Sequence, residues 1–404
     1  MATATAEKPK KMTKAERRQA EREKNRERRA ARKRAAAQAA QVEAAAEKPK
    51  AEKKAVEPPK GPELLSTGST TLNLAISGRA TGAIVKGSLV LWVGDSGASK
   101  TLFALTQLAE AANNPHFDGY RLIYDPTTEG GNLMDIPGMF GSKLAARLEP
   151  PAREKDGEPR PSTRIEEFYY NVDDAVKAGK PFVYVCDSMD GLTSEAEEEH
   201  FSKGKAAFRR GKAAPGSYGD GKAKKNSENL RQLRAKLERT RSILIVICHA
   251  KELMNAMPFQ DSKTRAGGRS LRYYCNTEIW TSVGAKIKRE VNGRSRTIGN
   301  EIILKVKKNR VTGRLFDTKT TVYPSLGVDD LGSCVDFLVE EDHWKKHLGK
   351  IAAVGIAPEP LGREALIARI GASSKLRRAL RKEVTRCWRG IEAACAVERS
   401  PRYV

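Results

Sequence analysis

Eight consecutive residues nearly match a motif that binds phosphate. That motif has a glycine, four free positions and then Gly-Lys-Ser/Thr. The residues of the loop are Gly94, Asp95, Ser96, Gly97, Ala98, Ser99, Lys100 and Thr101. The first glycine, the lysine and the threonine are in register, whereas Ser99 stands in place of the second glycine. In such a loop the backbone N–H groups surround a phosphate, the lysine reaches the β- and γ-phosphates, and the threonine hydroxyl binds Mg²⁺. We therefore predict a site for ATP and Mg²⁺. Because a side chain disfavours a positive φ, we expect a serine at position 99 to have a negative φ.

Asp187 is a second candidate ligand for the metal ion. It follows the apolar run 182–186. An acidic residue that closes a buried strand downstream of a phosphate loop can orient Mg²⁺, directly or through a water molecule. The alternative is an ordinary aspartate that begins a turn. We predict that Thr101 and Asp187 together hold the metal.

Three further residues at predicted strand ends could take part in hydrolysis. Asp125 and Glu129 come at and after the end of the apolar run 121–124. A carboxylate at this place could activate the water that attacks the γ-phosphate, although both could equally be turn residues. His249 follows the apolar run 243–248. It either senses the γ-phosphate or is an ordinary histidine at a strand end.

Basic side chains cluster in two segments, 202–226 and 250–270, that we predict to be long loops. Lysine and arginine suit a phosphodiester backbone, and glycine lets such a backbone approach closely. An aromatic ring in the second segment could stack on bases. The candidate DNA contacts are Arg209, Arg210, Phe259, Lys263, Arg265, Gly267, Gly268 and Arg269. A solvated loop is the alternative.

The elements that would position these residues follow an alternating pattern. The apolar runs 89–93, 121–125, 182–187 and 243–248 are short, and segments of helical length separate them. This pattern predicts an α/β fold with a mainly parallel central sheet that is covered by helices on both faces. Ligands then bind at the carboxyl ends of the strands. From Glu301 onward apolar residues alternate with polar ones, which predicts an antiparallel extension of the sheet.

Composition divides the chain into three parts. The net charge is +24, and residues 1–60 are mainly Ala, Lys, Arg and Glu, with 19 Lys/Arg, 9 Asp/Glu and almost no large apolar residues. We predict a disordered or partly helical basic tail at 1–60, an ATPase core at 61–340 and a small basic domain at 341–404. Because the tail carries only +10 of the charge, the rest of the chain is basic as well. A polyanionic partner, nucleic acid first, is the favoured explanation, and solubility is the alternative.

The remaining composition argues against several classes of protein. The six cysteines include no CxxC pair, so neither a disulfide framework nor a zinc site is indicated. No run approaches 18 apolar residues, and the first residues lack the apolar segment of a secretory signal. We therefore expect a cytoplasmic protein without a membrane partner, in the cytoplasm of a host cell if it is encoded by a virus.

Five segments in order resemble the ATPase core of RecA-family recombinases. They are 65–76 ahead of the phosphate loop, 186–197 around Asp187, 266–274 around the paired glycines, 307–310 (Lys-Lys-Asn-Arg) and 323–332. Each match is weak alone, but together they run over residues 64–340. The resemblance is strongest as an ordered set, because five such matches in sequence are hard to obtain by chance.

The resemblance implies a filament of identical protomers on single-stranded DNA, with ATP at each interface between protomers. Such a filament pairs with homologous double-stranded DNA and exchanges strands, in some cases with a single-strand-binding or loader protein. By position, Lys100 and Thr101 would bind nucleotide and Mg²⁺, and His249 would take the place of a γ-phosphate-sensing glutamine. Lys308 and Arg310 would act on the nucleotide of the next protomer. The two long segments would be the DNA-binding loops.

Two departures from the family pattern refine this expectation. Phage recombinases of the UvsX type also lack the glycine that Ser99 replaces, so the resemblance favours a divergent phage recombinase. Thr128-Glu129-Gly130 is similar to a motif of archaeal and eukaryotic relatives, which favours Glu129 over Asp125 as the water-activating carboxylate. Two alternatives stay open. One is a RecA-like motor of another class, such as a helicase or a recombination mediator. The other is a nucleotide-binding protein that coats DNA without turnover.

Overall fold

The computed structural model describes residues 64–127, 134–212, 221–252 and 263–399. The predicted tail at 1–60, Glu129 and Phe259 lie outside the described residues. The helices are α1 (Thr70–Ser77), α2 (Lys100–Ala112), α3 (Ile136–Phe140), α4 (Ser142–Arg147), α5 (Ile165–Lys177), α6 (Glu195–Arg209), α7 (Gly221–Thr240), α8 (Arg269–Tyr274), α9 (Asp330–Glu340), α10 (Arg363–Gly371) and α11 (Ser374–Ala394).

The strands begin with β1 (Leu89–Gly94), β2 (Arg121–Asp125), β3 (Leu148–Glu149), β4 (Ala152–Arg153), β5 (Pro159–Arg160), β6 (Phe182–Cys186), β7 (Ile243–Glu252) and β8 (Lys263–Arg265). They continue with β9 (Thr277–Val291), β10 (Arg294–Asn309), β11 (Asp317–Tyr323), β12 (Gly327–Asp329), β13 (Lys345–His347), β14 (Lys350–Ala352) and β15 (Leu361–Gly362).

One large mixed sheet organises the described residues. Its order is β12-β11-β10-β9-β1-β7-β6-β2-β3, and β8 pairs with the end of β7. The strands from β9 to β3 in this order run parallel, while β10, β11 and β12 extend the sheet antiparallel. Both the mainly parallel sheet and its antiparallel extension agree with the sequence pattern.

Helices cover both faces of the parallel part, which explains why its strands are continuously apolar. All six residues of β1 are buried. Because side chains alternate along a strand, Val90 and Trp92 join the core on one face, and Leu89, Leu91 and Val93 join the core on the other. Helices α2 and α9 contribute to the first core, and α5 and α7 contribute to the second.

The two predicted long loops contain more regular structure than the sequence indicated. In the first, α6 continues to Arg209 and α7 begins at Gly221, so only 210–220 separates the two helices. In the second, β7 extends to Glu252, β8 follows the undescribed residues 253–262, and α8 begins at Arg269. The sequence did not indicate that α6 extends into the first segment, because α6 buries none of its residues and so lacks the helical periodicity of apolar residues.

Residues 341–399 add a three-stranded sheet, β13-β14-β15, and the helices α10 and α11. Leu380, Val384 and Trp388 recur every four residues on α11, and all three are buried. They belong to the same apolar core as Val90 and Trp92 of β1. No described helix is both long and apolar enough to cross a membrane.

Candidate nucleotide site and nucleic-acid surface

A cavity of about 400 Å³ lies at the carboxyl ends of the parallel strands. Its lining includes Lys100 and Thr101 from the phosphate loop, Asp187 after β6, His249 in β7 and Tyr323 at the end of β11. Gly94 and His249 are neighbours in the pairing of β1 with β7, and this pairing brings the histidine to the loop. The structure therefore gathers these predicted site residues around one cavity.

The backbone of the phosphate loop differs from the expectation at Ser99. Ser99 has φ 60° and ψ 22°, in the left-handed region, so the predicted negative φ is wrong. Gly97 also has a positive φ, 77°, and a Cβ there would meet no atom within 4 Å. Glycine is needed at position 94 for a different reason, because a Cβ there would collide with the backbone oxygen of Thr281 on β9. The loop thus makes its tight turn with a strained serine where the motif has glycine.

Lys100 is the first residue of α2, so it lies at the positive end of that helix. Its Nζ donates to the Asp95 carbonyl oxygen at 2.8 Å, and the residue is 6% exposed. This bond holds the ammonium group back over the loop. A buried lysine at a helix N-terminus, above a turn that Gly97 and Ser99 bend, can bind an anion such as the phosphates of a nucleotide.

Asp187 is 1% exposed and lines the cavity. The Tyr124 hydroxyl donates to its Oδ2 at 3.0 Å, and its backbone N–H donates to the Asp125 carbonyl oxygen at 2.8 Å. The Thr127 hydroxyl donates to the Asp187 carbonyl oxygen at 2.9 Å. These contacts fix the carboxylate at the edge of the sheet. Thr101 lines the same cavity, and oxygen atoms such as its hydroxyl and this carboxylate suit Mg²⁺.

Asp125 does not line the cavity. It is fully buried, and its carboxylate accepts hydrogen bonds from the Ser162 N–H at 3.0 Å, the Ser162 hydroxyl at 2.6 Å and the Tyr184 hydroxyl at 2.7 Å. Burial raises the pKa of Asp125, against the opposing effect of these hydrogen bonds. A carboxylate with its oxygens so engaged is a structural group that ties β2 to β6. Between the two alternatives for activating water, this leaves Glu129, which lies outside the described residues.

His249 lies where β7 leaves the core. Its backbone N–H donates to Asp190 Oδ2 at 2.6 Å, and its carbonyl oxygen accepts from the Ala266 N–H at 3.1 Å. The residue therefore links the segment after Asp187, the cavity and the turn before the paired glycines. Such a position suits a group that responds to the phosphate and is connected to the second basic segment.

The paired glycines pack closely against neighbouring residues. Gly267 is buried, with φ 79°, and its carbonyl oxygen accepts from Asn226 Nδ2 at 2.7 Å. A Cβ at Gly267 would lie 2.6 Å from Leu271, and one at Gly268 would lie 2.8 Å from Ala223 on α7. The physical reason for these glycines is close packing against α7 and α8. Burial removes Gly267 from the surface, whereas the contact of the half-buried Gly268 with DNA stays a prediction.

Arg265 is also turned inward, contrary to its predicted contact with DNA. Its side chain is 8% exposed, and it lies 3.0 Å from the carboxylate of Glu278, which is 1% exposed. Arg272 approaches the second oxygen of Glu278 at 3.3 Å. Arg265 is therefore committed to an internal ion pair. Of the cations around the glycines that were predicted to bind DNA, Lys263 is partly exposed and Arg269 is exposed.

Helix α6 carries an exposed surface that the sequence reasoning missed. Phe201 and Phe208 are 71% and 84% exposed, and Arg209 and Arg210 at the end of the helix are exposed as well. The two phenylalanines are seven residues apart, so they lie on one face of the helix. Phe201, Gly204 and Phe208 line one open surface depression. The spacing of the two rings was the available signal, but it was hidden because the segment had been taken for a loop.

Lys308 and Arg310 lie far from the phosphate loop of their own chain. The Arg310 N–H donates to the Asn276 carbonyl, and the Asn276 N–H donates to the carbonyl of Leu89, the first residue of β1. The phosphate loop begins at Gly94, at the other end of β1. At about 3.3 Å per residue, the length of β1 is roughly 16 Å, which separates Arg310 from that loop along the strand direction.

The two cations are held by the end of α8. Lys308 Nζ donates to the Tyr273 carbonyl at 3.1 Å and also to the Arg272 carbonyl, and an Arg310 guanidinium N–H donates to the Tyr273 carbonyl at 3.0 Å. Burial lowers the pKa of Lys308, as does the nearby Arg310. These contacts place both cations at the edge of the sheet opposite the cavity.

Residues 172–329 match the family of the RecA N-terminal domain. Protein RecA of Chelativorans sp. (strain BNC1) is 27% identical over 280 residues, which cover 69% of this chain and 68% of that relative. Protein RecA, plasmid, of Lactococcus lactis subsp. lactis is 27% identical over 250 residues, 62% of each chain. Protein RecA of Caulobacter vibrioides (strain NA1000 / CB15N) is 26% identical over 283 residues. These matches show that the chain is similar to RecA proteins over a large part of its length.

The similarity to the RecA proteins covers a defined part of each molecule. The chain spans about 62–68% of the length of the relatives above. The family match includes Asp187, His249, Lys308 and Arg310, whereas the phosphate loop at 94–101 precedes it. The role of that loop therefore rests on its own geometry and on its place beside Asp187 in the cavity.

Proposed function

We propose that this protein is a DNA-dependent ATPase that assembles on single-stranded DNA and catalyses homologous pairing and strand exchange with double-stranded DNA. The observation that carries the proposal is the cavity in which the phosphate loop, Asp187 and His249 meet. RecA-family similarity over the segment that holds Asp187 and His249 supports the same conclusion. The finer assignment to a divergent phage recombinase rests on Ser99.

In the proposed reaction the phosphate loop binds the polyphosphate of ATP. The loop N–H groups and Lys100 would hold the β- and γ-phosphates, and the Thr101 hydroxyl and Asp187 would hold Mg²⁺. When bound, the metal neutralises charge on the phosphates. Glu129 accepts the proton of the attacking water, because Asp125 is fully buried and its carboxylate already accepts three hydrogen bonds. His249 contacts the γ-phosphate. Its backbone hydrogen bond with Ala266 couples that contact to the position of the second basic segment.

Lys308 and Arg310 are proposed to complete the site of a neighbouring copy. Their position at the amino-terminal edge of the sheet keeps them from the nucleotide of their own chain. Asn309 between them is buried and donates through Nδ2 to the carbonyl of Ile76 at 2.8 Å. The chain is thereby anchored, and the flanking cations lie near the surface where a second protomer can dock. This arrangement supports the proposal of a homo-oligomeric filament with ATP at the interfaces between its copies.

The proposed single-stranded DNA surface includes α6 as well as Lys263 and Arg269. On α6 the rings of Phe201 and Phe208 offer stacking faces, and Arg209 and Arg210 offer phosphate contacts. Because base–aromatic stacking contributes about 1–3 kcal/mol per base, we expect Phe208→Ala to weaken binding of an oligothymidylate roughly tenfold. Leu348, an equally exposed apolar residue at 87%, provides the control Leu348→Ala. Equal affinities of the two variants would remove α6 from the DNA surface.

ATP hydrolysis with and without single-stranded DNA tests the proposed function. We expect stimulation by DNA in the wild-type protein, and loss of turnover without loss of folding in Lys100→Ala. Strand exchange between a single strand and a homologous duplex, measured by fluorescence, then separates a recombinase from a helicase or mediator. DNA binding without any ATP turnover would indicate the coating protein instead. Adding a single-strand-binding protein to the assay tests the proposed loader or single-strand-binding partner.

A further inference from the structure

An ion pair joins the phosphate loop to β8. Lys263 Nζ lies 2.6 Å from Asp95 Oδ2, and the two side chains are 38% and 48% exposed. The hydrogen bond to Asp95 is the main cause that raises the pKa of Lys263. Lys263 is one of the residues expected from sequence to bind DNA, yet the structure places its charge on the phosphate loop.

The carboxylate of Asp95 disfavours the binding of a polyphosphate to the loop. A loop that binds polyphosphate concentrates positive potential, and a carboxylate within it repels the ligand. The carbonyl oxygen of the same Asp95 accepts from Lys100 Nζ at 2.8 Å. Asp95 therefore touches both lysines, one through its backbone and one through its side chain. A change in the charge on its carboxylate acts directly beside the proposed phosphate site.

The position of Lys263 is fixed by the sheet. In the pairing of β7 with β8, Glu252 lies opposite Lys263 and Ala250 lies opposite Arg265. Arg265 is in turn anchored by its buried ion pair with Glu278. The ammonium group thus reaches Asp95 from a backbone that is held on both sides, so little freedom is lost when the pair forms.

We propose that Lys263 is a positioning residue for nucleotide binding: its ammonium group neutralises Asp95 and so keeps the phosphate loop receptive to polyphosphate. The inference rests on the proposed nucleotide site. It adds that Lys263, in the second basic segment, controls the affinity for nucleotide through Asp95 of the phosphate loop. By linkage, any anion that draws Lys263 away from Asp95 lowers nucleotide affinity, and nucleotide weakens the hold of that anion by the same factor.

Titration of the full-length protein with Mg²⁺-ADP, without DNA, tests the proposal. The variants are Lys263→Met, Asp95→Asn and the double variant, with Lys286→Met on the exposed part of β9 as the control for loss of one positive charge. For a pair that is partly exposed we expect Lys263→Met to weaken ADP binding about fivefold at low salt, and less at high salt. The double variant should return to within about twofold of the wild type, since the pair acts as a unit. Asp95→Asn alone should bind ADP as tightly as the wild type or more tightly.

The outcomes separate the proposal from the proposed function. A wild-type protein that binds no ADP would remove the nucleotide site itself. If the wild type binds ADP and Lys263→Met matches Lys286→Met, the role of Lys263 is overturned. The same holds if the double variant stays as weak as Lys263→Met, because the loss then does not act through Asp95. Should Lys263→Met fail to fold, Asp95→Asn still decides, since weaker binding by that variant contradicts the proposal.

Discussion

Replacing Ser99 by glycine measures the strain in the phosphate loop. Ser99 has φ 60° and ψ 22°, and the left-handed region costs a non-glycine residue about 1–2 kcal/mol. Its side chain makes no capping hydrogen bond to α2, so little is lost with the hydroxyl. Glycine removes the strain, but the greater freedom that it gives the unfolded chain lowers the free energy of unfolding by about 0.5–1 kcal/mol. The free energy of unfolding should therefore rise by roughly 0.5 kcal/mol.

Urea denaturation of three variants gives this prediction a measurable range. Ser99→Ala keeps the Cβ and the strain, so it should lie within about 0.5 kcal/mol of the wild type. Ser99→Val adds a branched Cβ that the left-handed region accommodates poorly, and it should lose at least about 1 kcal/mol. The informative quantity is the difference between the glycine and valine variants. Equal stability of these two would show that residue 99 does not have a positive φ, and the account of the loop would fall.

Three further predictions concern other parts of the molecule. Glu278→Gln should cost about 3 kcal/mol in urea denaturation, because it leaves the Arg265 charge buried without its partner; a loss below 1 kcal/mol would contradict the burial of the pair. Lys308→Ala should lose DNA-stimulated turnover, and mixing it with Lys100→Ala should restore part of it, since each supplies what the other lacks; no recovery in the mixture argues against action between copies. The pKa of Asp125 is raised by burial, so its protonated form stabilises the fold fully below pH 3.8, and this contribution is lost as the pH rises through the raised pKa. Denaturation of Asp125→Asn across pH should lack this component, and an unchanged profile would refute the assignment.

The central strands were predictable because both of their faces are buried. Such strands are continuously apolar, and the runs at 121–125 and 182–187 match β2 and β6 closely. The residues that close them then fall at the carboxyl edge of the sheet for geometrical reasons alone. The sequence therefore predicts that Asp187 and His249 lie near the phosphate loop.

Other features depend on contacts between distant segments, which a single sequence does not display. Arg265 looks like an exposed cation until Glu278, on another strand, is seen to pair with it. The glycine at 267 looks like an approach point for DNA, although Asn226 and Leu271 pack against it. The φ of Ser99 was missed for a related reason, because the turn of the loop is set by the strand and helix that it joins.

The separation of the phosphate loop from Arg310 within one chain has a consequence for the stoichiometry of catalysis. If each copy supplies the loop to one neighbour and the two cations to the other, contacts are head-to-tail, and an open assembly of this kind always has one incomplete site at an end. An isolated copy would then hydrolyse no ATP, and a pair would contain one complete site. The ATPase rate per copy would rise toward a plateau as the assembly lengthens. Factors that cap or sever the assembly would regulate turnover without touching any catalytic group.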